Sequence, residues 1–78
     1  MPTLRLFATV RVAAGTGSAK LTGETVGEVL DQASEQFGPE FAELVPICRI
    51  WVNGAAAETT TAVTDDDEVA LLPPVSGG

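Results

Sequence analysis

The strongest candidate for chemistry in this sequence is its carboxyl end, Val75-Ser76-Gly77-Gly78. Glycine has no Cβ, so a Gly-Gly end can lie extended in a narrow channel and bring its carboxylate to another protein's catalytic residues. The stiff Pro73-Pro74 pair before it is expected to project the tail away from the domain. At neutral pH a terminal carboxylate is anionic and a poor electrophile. It needs activation, for which ATP and an acyl-adenylate are expected, before a sulfur nucleophile can attack.

The rest of the chain offers no machinery for that activation. It has no His and no Tyr, and it has no glycine-rich phosphate loop followed by Lys-Ser or Lys-Thr. No metal cluster is predicted either, and the acidic turn 65–68 is interpreted as solvated. The sequence therefore predicts a protein with no metal, bound cofactor or catalytic groups of its own, which serves as the substrate of an ATP-consuming activating enzyme.

Composition limits the other function classes. With 78 residues and a net charge of −7, the chain can form one small domain with a thin core and no deep cleft. Its acidity argues against nucleic acid as a partner and favours a basic patch on another protein. The lone Cys48, a start without a signal peptide and the lack of a bilayer-length apolar stretch predict a cytoplasmic protein with no membrane partner.

The first half of the chain predicts a hairpin followed by a helix. Alternation over 3–9 is typical of a strand, the small residues of 13–17 break it, and 18–22 can return as a second strand. Thr25 and Glu28 have the spacing of a capping box. Gly38 is expected to form a left-handed cap, and Pro39 to prevent continuation. An apolar stripe follows the capping box: Val26, Val29, Leu30, Ala33 and Phe37.

The second half predicts three more strands. A short turn over 40–45 precedes a strand over 48–52, and Asn53-Gly54 favours a tight hairpin turn into a weak strand at 56–58. Ala62 and Val63 can pack back onto the core before the acidic turn 65–67, and 68–72 forms the last strand. The order predicts an α+β fold of the β-grasp (ubiquitin-like) type. Its mixed sheet of four to five strands packs on one main helix, with the first and last strands parallel. The predicted domain covers 1–74, and 75–78 is predicted to be a flexible tail.

The segment Leu72-Pro73-Pro74-Val75-Ser76-Gly77-Gly78 resembles the C-terminal signature of molybdopterin synthase small subunits, which belong to the wider ubiquitin-like sulfur carriers that include the thiamine carrier. The resemblance extends over essentially the whole chain. It includes Phe7-Ala8-x-x-Arg11 with Gly15-Thr16, Val52-Asn53, and Asp65-x-Asp67-Glu68-Val69. The tail is its specific part.

The resemblance implies that a ubiquitin-activating-like adenylyltransferase adenylates Gly78, and that a sulfur-donating enzyme supplies sulfur for a thiocarboxylate. The carrier would then dock with the large catalytic subunit of molybdopterin synthase, in a heterotetramer, and give sulfur to a pterin precursor. Apolar residues near the tail form the docking face in such complexes, although Ala56 stands where a larger residue is usual. The predicted partner-binding residues are Phe7, Arg11, Ala56, Leu72, Pro73 and Pro74.

Several alternatives stay open from the sequence. Phe7 and Leu72 can be docking residues or core, and Arg11 can pair with local carboxylates or with the activating enzyme. Cys48 is interpreted as a small buried hydrophobe, with sulfur handling as the alternative, and Trp51 as a packing residue, with interface contact as the alternative. The same carrier chemistry could serve thiamine, cysteine or secondary-metabolite synthesis, with attachment to proteins also possible. A passive β-grasp interaction module is the alternative from a different class.

Overall fold

A computed structural model describes residues 1–74 as a five-stranded mixed sheet with helices packed on one face. No helix in this part of the chain is long and apolar enough to cross a bilayer. A 3-10 turn, Val45–Ile47, precedes the third strand. In chain order the other elements are β1 (Thr3–Leu6), α1 (Ala8–Ala14), β2 (Ser18–Lys20), α2 (Val26–Phe37), α3 (Pro39–Leu44), β3 (Arg49–Val52), β4 (Ala55–Ala56) and β5 (Glu68–Leu72).

The sheet has the strand order β2-β1-β5-β3-β4, with β1 and β5 as a parallel central pair. The outer pairings, β1 with β2, β5 with β3 and β3 with β4, are antiparallel. This topology confirms the predicted β-grasp arrangement. It also places the last strand between two neighbours, so β5 is hydrogen-bonded along both edges.

Helix α2 begins as its sequence predicts. Thr25 Oγ1 accepts a hydrogen bond from the Glu28 amide at 3.2 Å. The Glu28 carboxylate, however, accepts from the Glu24 amide at 3.2 Å, one residue before the position that a capping box implies. Gly38 ends α2 at positive φ as predicted, with φ 96° and its amide donating to the Ser34 carbonyl at 3.0 Å, but its ψ of −178° lies outside the αL region. Its conformation lets Pro39 begin a second helix, α3, where the sequence suggested only a short turn.

Helix α1 was not expected from the alternation over 3–9, which predicted a strand through Thr9. The strand ends at Leu6, and Ala8 begins a helix with φ 54°. One face of this helix packs inward through Val10, with Ala13 and Ala14 partly buried behind it. Gly15, with φ 77°, ends the helix by donating to the Arg11 carbonyl at 2.9 Å.

The core lies between the helices and one face of the sheet. Leu4, Leu6, Val69 and Leu71 point from the central strands toward the helices and are almost completely buried. Because side chains alternate along a strand, their neighbours must point to the opposite face. No described helix covers that second face, and we call it the open face. The helix side of the core consists of Val10, Val26, Val29, Leu30, Ala33 and Phe41.

Candidate docking site at the base of the tail

Strand β5 fixes the point from which the C-terminal segment leaves the domain. It pairs with β1 through Leu71 opposite Leu6 and with β3 through Leu72 opposite Arg49. Leu72 and Pro73 are half-buried, whereas Pro74 is exposed. The predicted flexible tail, with the candidate reactive residue Gly78 and its neighbours 75–77, lies outside the described residues. The site described here is therefore the base of that tail.

Phe7 lies beside Leu72 on the open face. Although β1 ends at Leu6, the Phe7 backbone is still extended, with φ −131° and ψ 152°. Its side chain therefore continues the alternation that places Arg5 on the open face. The register of Leu6 with Leu71 brings the next residues of the two parallel strands, Phe7 and Leu72, side by side. Phe7 is 40% exposed, which rules out the core interpretation, while its docking role stays a prediction.

Arg49 is a member of this site that sequence reasoning missed. It is exposed and lies directly opposite Leu72 in the antiparallel pair of β3 and β5. The sequence offered only a weak signal, because an antiparallel pairing brings the end of β5 near the start of β3 without specifying which residues are opposite each other. Finding that pairing required the register, which the composition of the strands does not specify.

Arg11 approaches the same region from α1. Its guanidinium lies over Gly17, where a Cβ would be 3.3 Å from Arg11 Nε and Cζ. Arg11 shares with Arg5 and Phe7 a shallow groove of about 370 Å³ at the edge of the open face. Within residues 1–74 Arg11 makes no ion pair, so the alternative of a local carboxylate partner is not found there. Arg5 pairs loosely with Glu68 at 3.4 Å.

Trp51 and Ala56 extend the open face away from the tail. Trp51 pairs with Ala70 of β5 on one side and with Ala56 of β4 on the other. Trp51 is half-buried and Ala56 is exposed. A groove of about 250 Å³ runs along this edge and includes both residues. The small side chain of Ala56 leaves space beside Trp51, at the position where a larger apolar residue was expected.

Cys48 also lines the groove beside Trp51 and Ala56. Its thiol is half-buried and donates a hydrogen bond to the Leu44 carbonyl at 3.1 Å. Burial raises the pKa of the Cys48 thiol above its ordinary value, which disfavours the nucleophilic thiolate. These observations support the interpretation of Cys48 as a small packing residue.

The strand order, the single sheet face covered by helices and the central position of β5 define a ubiquitin-like β-grasp protein. The model of the ThiS family matches residues 4–78, and the chain therefore belongs to this family of ubiquitin-like sulfur carriers. No curated protein sequence matches the chain significantly.

Several solved structures share this fold. Small archaeal modifier protein 1 (SAMP1) from Methanosarcina acetivorans superposes with a TM-score of 0.89 at 30% identity, covering 99% of this chain and 95% of that one. A chain of the Amycolatopsis orientalis BexX/CysO complex gives 0.85 at 25% identity, with both chains fully covered. A chain of the Helicobacter pylori complex of molybdopterin-converting factor subunits 1 and 2 gives 0.71 at 24% identity, covering 99% and 97%, and shares the fold.

Proposed function

We propose that this protein carries sulfur as a thiocarboxylate on Gly78 and donates it in molybdopterin synthesis. The observation that supports the proposal most is that the ThiS family match extends to residue 78 and so includes the terminal glycine pair. The described part of the chain fits this role, because β5 holds the base of the tail between two neighbouring strands.

Two steps charge the carrier. In the first, a carboxylate oxygen of Gly78 attacks the α-phosphate of ATP, which forms the acyl-adenylate and releases pyrophosphate. In the second, sulfide attacks the acyl carbon, the C–S bond forms, and the bond to AMP breaks. The product is a thiocarboxylate, with AMP and a proton released. An activating enzyme of the ubiquitin-activating type supplies the catalytic groups for both steps.

The open face is the surface on which such an enzyme would seat the carrier. The exposed Phe7 and the half-buried Leu72 form an apolar pair at the point where the chain leaves the sheet. An enzyme that contacts this pair would have the tail directed into its own active site, since only Pro73 and Pro74 separate Leu72 from the final four residues. Docking at a rigid strand end lowers the entropic cost of presenting a tail.

A second function uses the same activated carboxyl group. The similarity to SAMP1, a modifier protein by name, favours attachment to other proteins as an alternative. In that case a lysine amine, in place of sulfide, attacks the Gly78 acyl-adenylate and forms an amide, with AMP as the leaving group. The two functions share their first step and differ in the nucleophile.

Intact-mass spectrometry tests the proposal. The protein is incubated with ATP, sulfide and the activating enzyme encoded in the same genome, and a variant that lacks Gly78 serves as the control. Replacement of one oxygen by sulfur in the full chain, and none in the truncated chain, is the expected result. An unchanged mass, with an enzyme shown to be active on another carrier, would contradict the proposal and favour a passive interaction module.

The sulfur acceptor requires a second assay. The charged carrier is mixed with the large subunit of molybdopterin synthase and the pterin precursor, and molybdopterin is measured by its fluorescent oxidation product. Product formation with recovery of the carboxylate form supports the molybdopterin role. A charged carrier that stays charged in this mixture would assign the sulfur to another pathway.

A further inference from the structure

Basic and acidic side chains are distributed unequally between the sheet and the helices, because α2 and α3 carry five acidic side chains and no basic one. Of the eleven acidic side chains, three lie on α2, two on α3 and five in loops, which leaves Glu68 alone on the sheet. Most of the basic side chains, in contrast, lie on the sheet. Arg5, Lys20 and Arg49 are strand residues, and Arg11 lies against Gly17 in the same groove as Arg5.

The strand register places Arg5, Lys20 and Arg49 on the open face. Leu4, Leu6, Val69 and Leu71 point to the helices, so strand residues one position away point outward. Arg5 pairs with Ala70 of β5, and Arg49 with Leu72. Lys20 pairs with Thr3 at the other end of the same face. The open face is therefore locally basic, although the whole chain has a charge of −7.

Two cationic groups flank the apolar pair at the tail base. Arg49 lies on the β3 side of Leu72, while Arg5 and Arg11 share a groove with Phe7 on the β2 side. We call these five residues, Arg5, Phe7, Arg11, Arg49 and Leu72, the exit patch. All three arginines of the exit patch are exposed, and among residues 1–74 only Arg5 has a carboxylate partner, at 3.4 Å.

We propose that the exit patch docks on an acidic protein surface of the activating enzyme, with an apolar centre for Phe7 and Leu72 and carboxylates opposite Arg49 and Arg11. This inference rests on the proposed function, because it names the partner that the carrier meets. It reverses the expectation from net charge, which favoured a basic partner. The acidic helix side of the carrier would then face away from the enzyme and disfavour docking in the reversed orientation.

A second copy of the chain does not fit this patch. Two exit patches placed face to face would oppose arginine to arginine, which is destabilising for an interface. Arginine also presents a planar fork of donors that suits carboxylates, and it is enriched at protein interfaces. The observed mixture of arginines around a phenylalanine and a leucine matches a site with an apolar centre and a polar rim.

Charge reversal with a position control tests the inference. Arg49→Glu reverses a charge inside the exit patch. Lys20→Glu makes the same change on the open face, but Lys20 lies opposite Thr3, at the other end of β1. Thr3 is four residues from Phe7 along the strand, or about 13 Å, which exceeds the Debye length of about 10 Å at 0.1 M salt. Circular dichroism and melting confirm that both variants fold.

Two measurements are made with the activating enzyme at several salt concentrations: KM for the carrier in sulfur charging, and the Kd for the carrier by calorimetry without sulfide. Arg49→Glu is expected to raise both about tenfold at low salt, and Lys20→Glu less than about threefold. Salt should weaken binding of the unaltered carrier and reduce the difference between the variants.

The results separate this inference from the proposed function. Normal KM and Kd for Arg49→Glu, or tighter binding at high salt, would overturn the acidic docking surface while sulfur charging still occurs. An absence of binding for the unaltered carrier would overturn it as well. Tight, salt-sensitive binding without any change in mass would leave the docking surface supported and contradict the proposed sulfur chemistry.

Discussion

Asn53 and Asp67 join the β3–β4 turn to the start of β5 through a side-chain hydrogen bond of 2.8 Å, from Asn53 Nδ2 to Asp67 Oδ1. The other oxygen of Asp67 accepts from the Thr64 amide at 2.8 Å, and Asn53 Oδ1 accepts from the Glu68 amide at 2.9 Å. Asn53 and Gly54 have φ of 50° and 84°, and a type I′ turn requires positive φ at both of its central residues. One residue therefore shapes the hairpin turn and fixes the strand that leads to the tail.

Two substitutions of Asn53 separate these roles. Asn53→Gly keeps the left-handed conformation but loses both side-chain hydrogen bonds, so it should lower the Tm. Asn53→Ala loses the same bonds and adds the strain of a Cβ at positive φ, about 1 kcal/mol more. Urea unfolding measures the free energy of unfolding, which is expected to be highest for the unaltered protein, lower for Asn53→Gly and lowest for Asn53→Ala. Equal values for the two variants would contradict the left-handed conformation of Asn53.

Asp67 gives the fold a predictable response to acid. Hydrogen bonds from the Asn53 side chain and from the Thr64 amide hold the pKa of the Asp67 carboxyl below its ordinary value of 3.8. A depressed folded-state pKa stabilises the protein above pH 3.8, and this contribution is lost as the pH falls through the lower folded value.

Asp67→Asn should therefore be less stable than the unaltered protein at pH 6, and the difference should shrink below pH 3.8. Urea unfolding between these pH values measures the difference. Asp66→Asn is the matched control, because it removes a carboxylate from the same exposed turn, and the Asp66 side chain accepts no hydrogen bond within 1–74. If the loss in free energy of unfolding caused by Asp67→Asn stays constant with pH, the lowered pKa of the Asp67 carboxyl is contradicted.

Ala8 marks the switch from strand to helix, and its φ of 54° is unfavourable for a residue with a Cβ. Ala8→Gly relieves this strain at a smaller cost in backbone entropy, and the free energy of unfolding should rise by roughly 0.5 kcal/mol. Ala13→Gly, at an ordinary position of the same helix, should lower it by about 1 kcal/mol or more. Chemical denaturation of both variants tests this. If Ala8→Gly and Ala13→Gly lower the free energy of unfolding equally, the left-handed conformation at Ala8 is contradicted.

Phe7 offers a direct comparison with a second exposed apolar residue. Phe7 lies on the open face at the tail base, whereas Val12 is 81% exposed on the outer side of α1. Phe7→Ala should raise KM in sulfur charging by tenfold or more, because a large aromatic contact is lost from the docking surface. Val12→Ala should change it by less than twofold. Similar effects of the two substitutions would remove the docking role of Phe7.

Local sequence signals predicted much of the fold. The capping residue Thr25 and the apolar stripe after it specified α2, and Asn53-Gly54 specified the hairpin, because each depends on chemistry within a few residues. Helix α1 was missed because the alternation of Leu4 and Leu6 continues formally to Ala8. The change of direction depends on one backbone dihedral that no side-chain pattern encodes.

The candidate site was predictable only in part. The Phe7 side chain was placed on the outer face by alternation, and the structure confirms its exposure. Arg49 was missed because it reaches the tail base through the pairing of β3 with β5, and β4 and the segment 57–67 lie between these strands in the chain. The unequal distribution of charge was missed for the same reason. Net charge counts residues without their positions, and those positions depend on strand order and register.

Fragmentation of the intact, sulfur-loaded protein in the mass spectrometer shows whether Gly78 carries the sulfur. A thiocarboxylate replaces one oxygen by sulfur, so fragments that contain the C-terminus should carry that change and N-terminal fragments should have ordinary masses. A persulfide on Cys48 would instead add a whole sulfur atom and mark every N-terminal fragment that extends past residue 48. A carrier that holds its sulfur on Gly78 gives the first pattern, whereas the second pattern would place the sulfur on Cys48 and rule out Gly78.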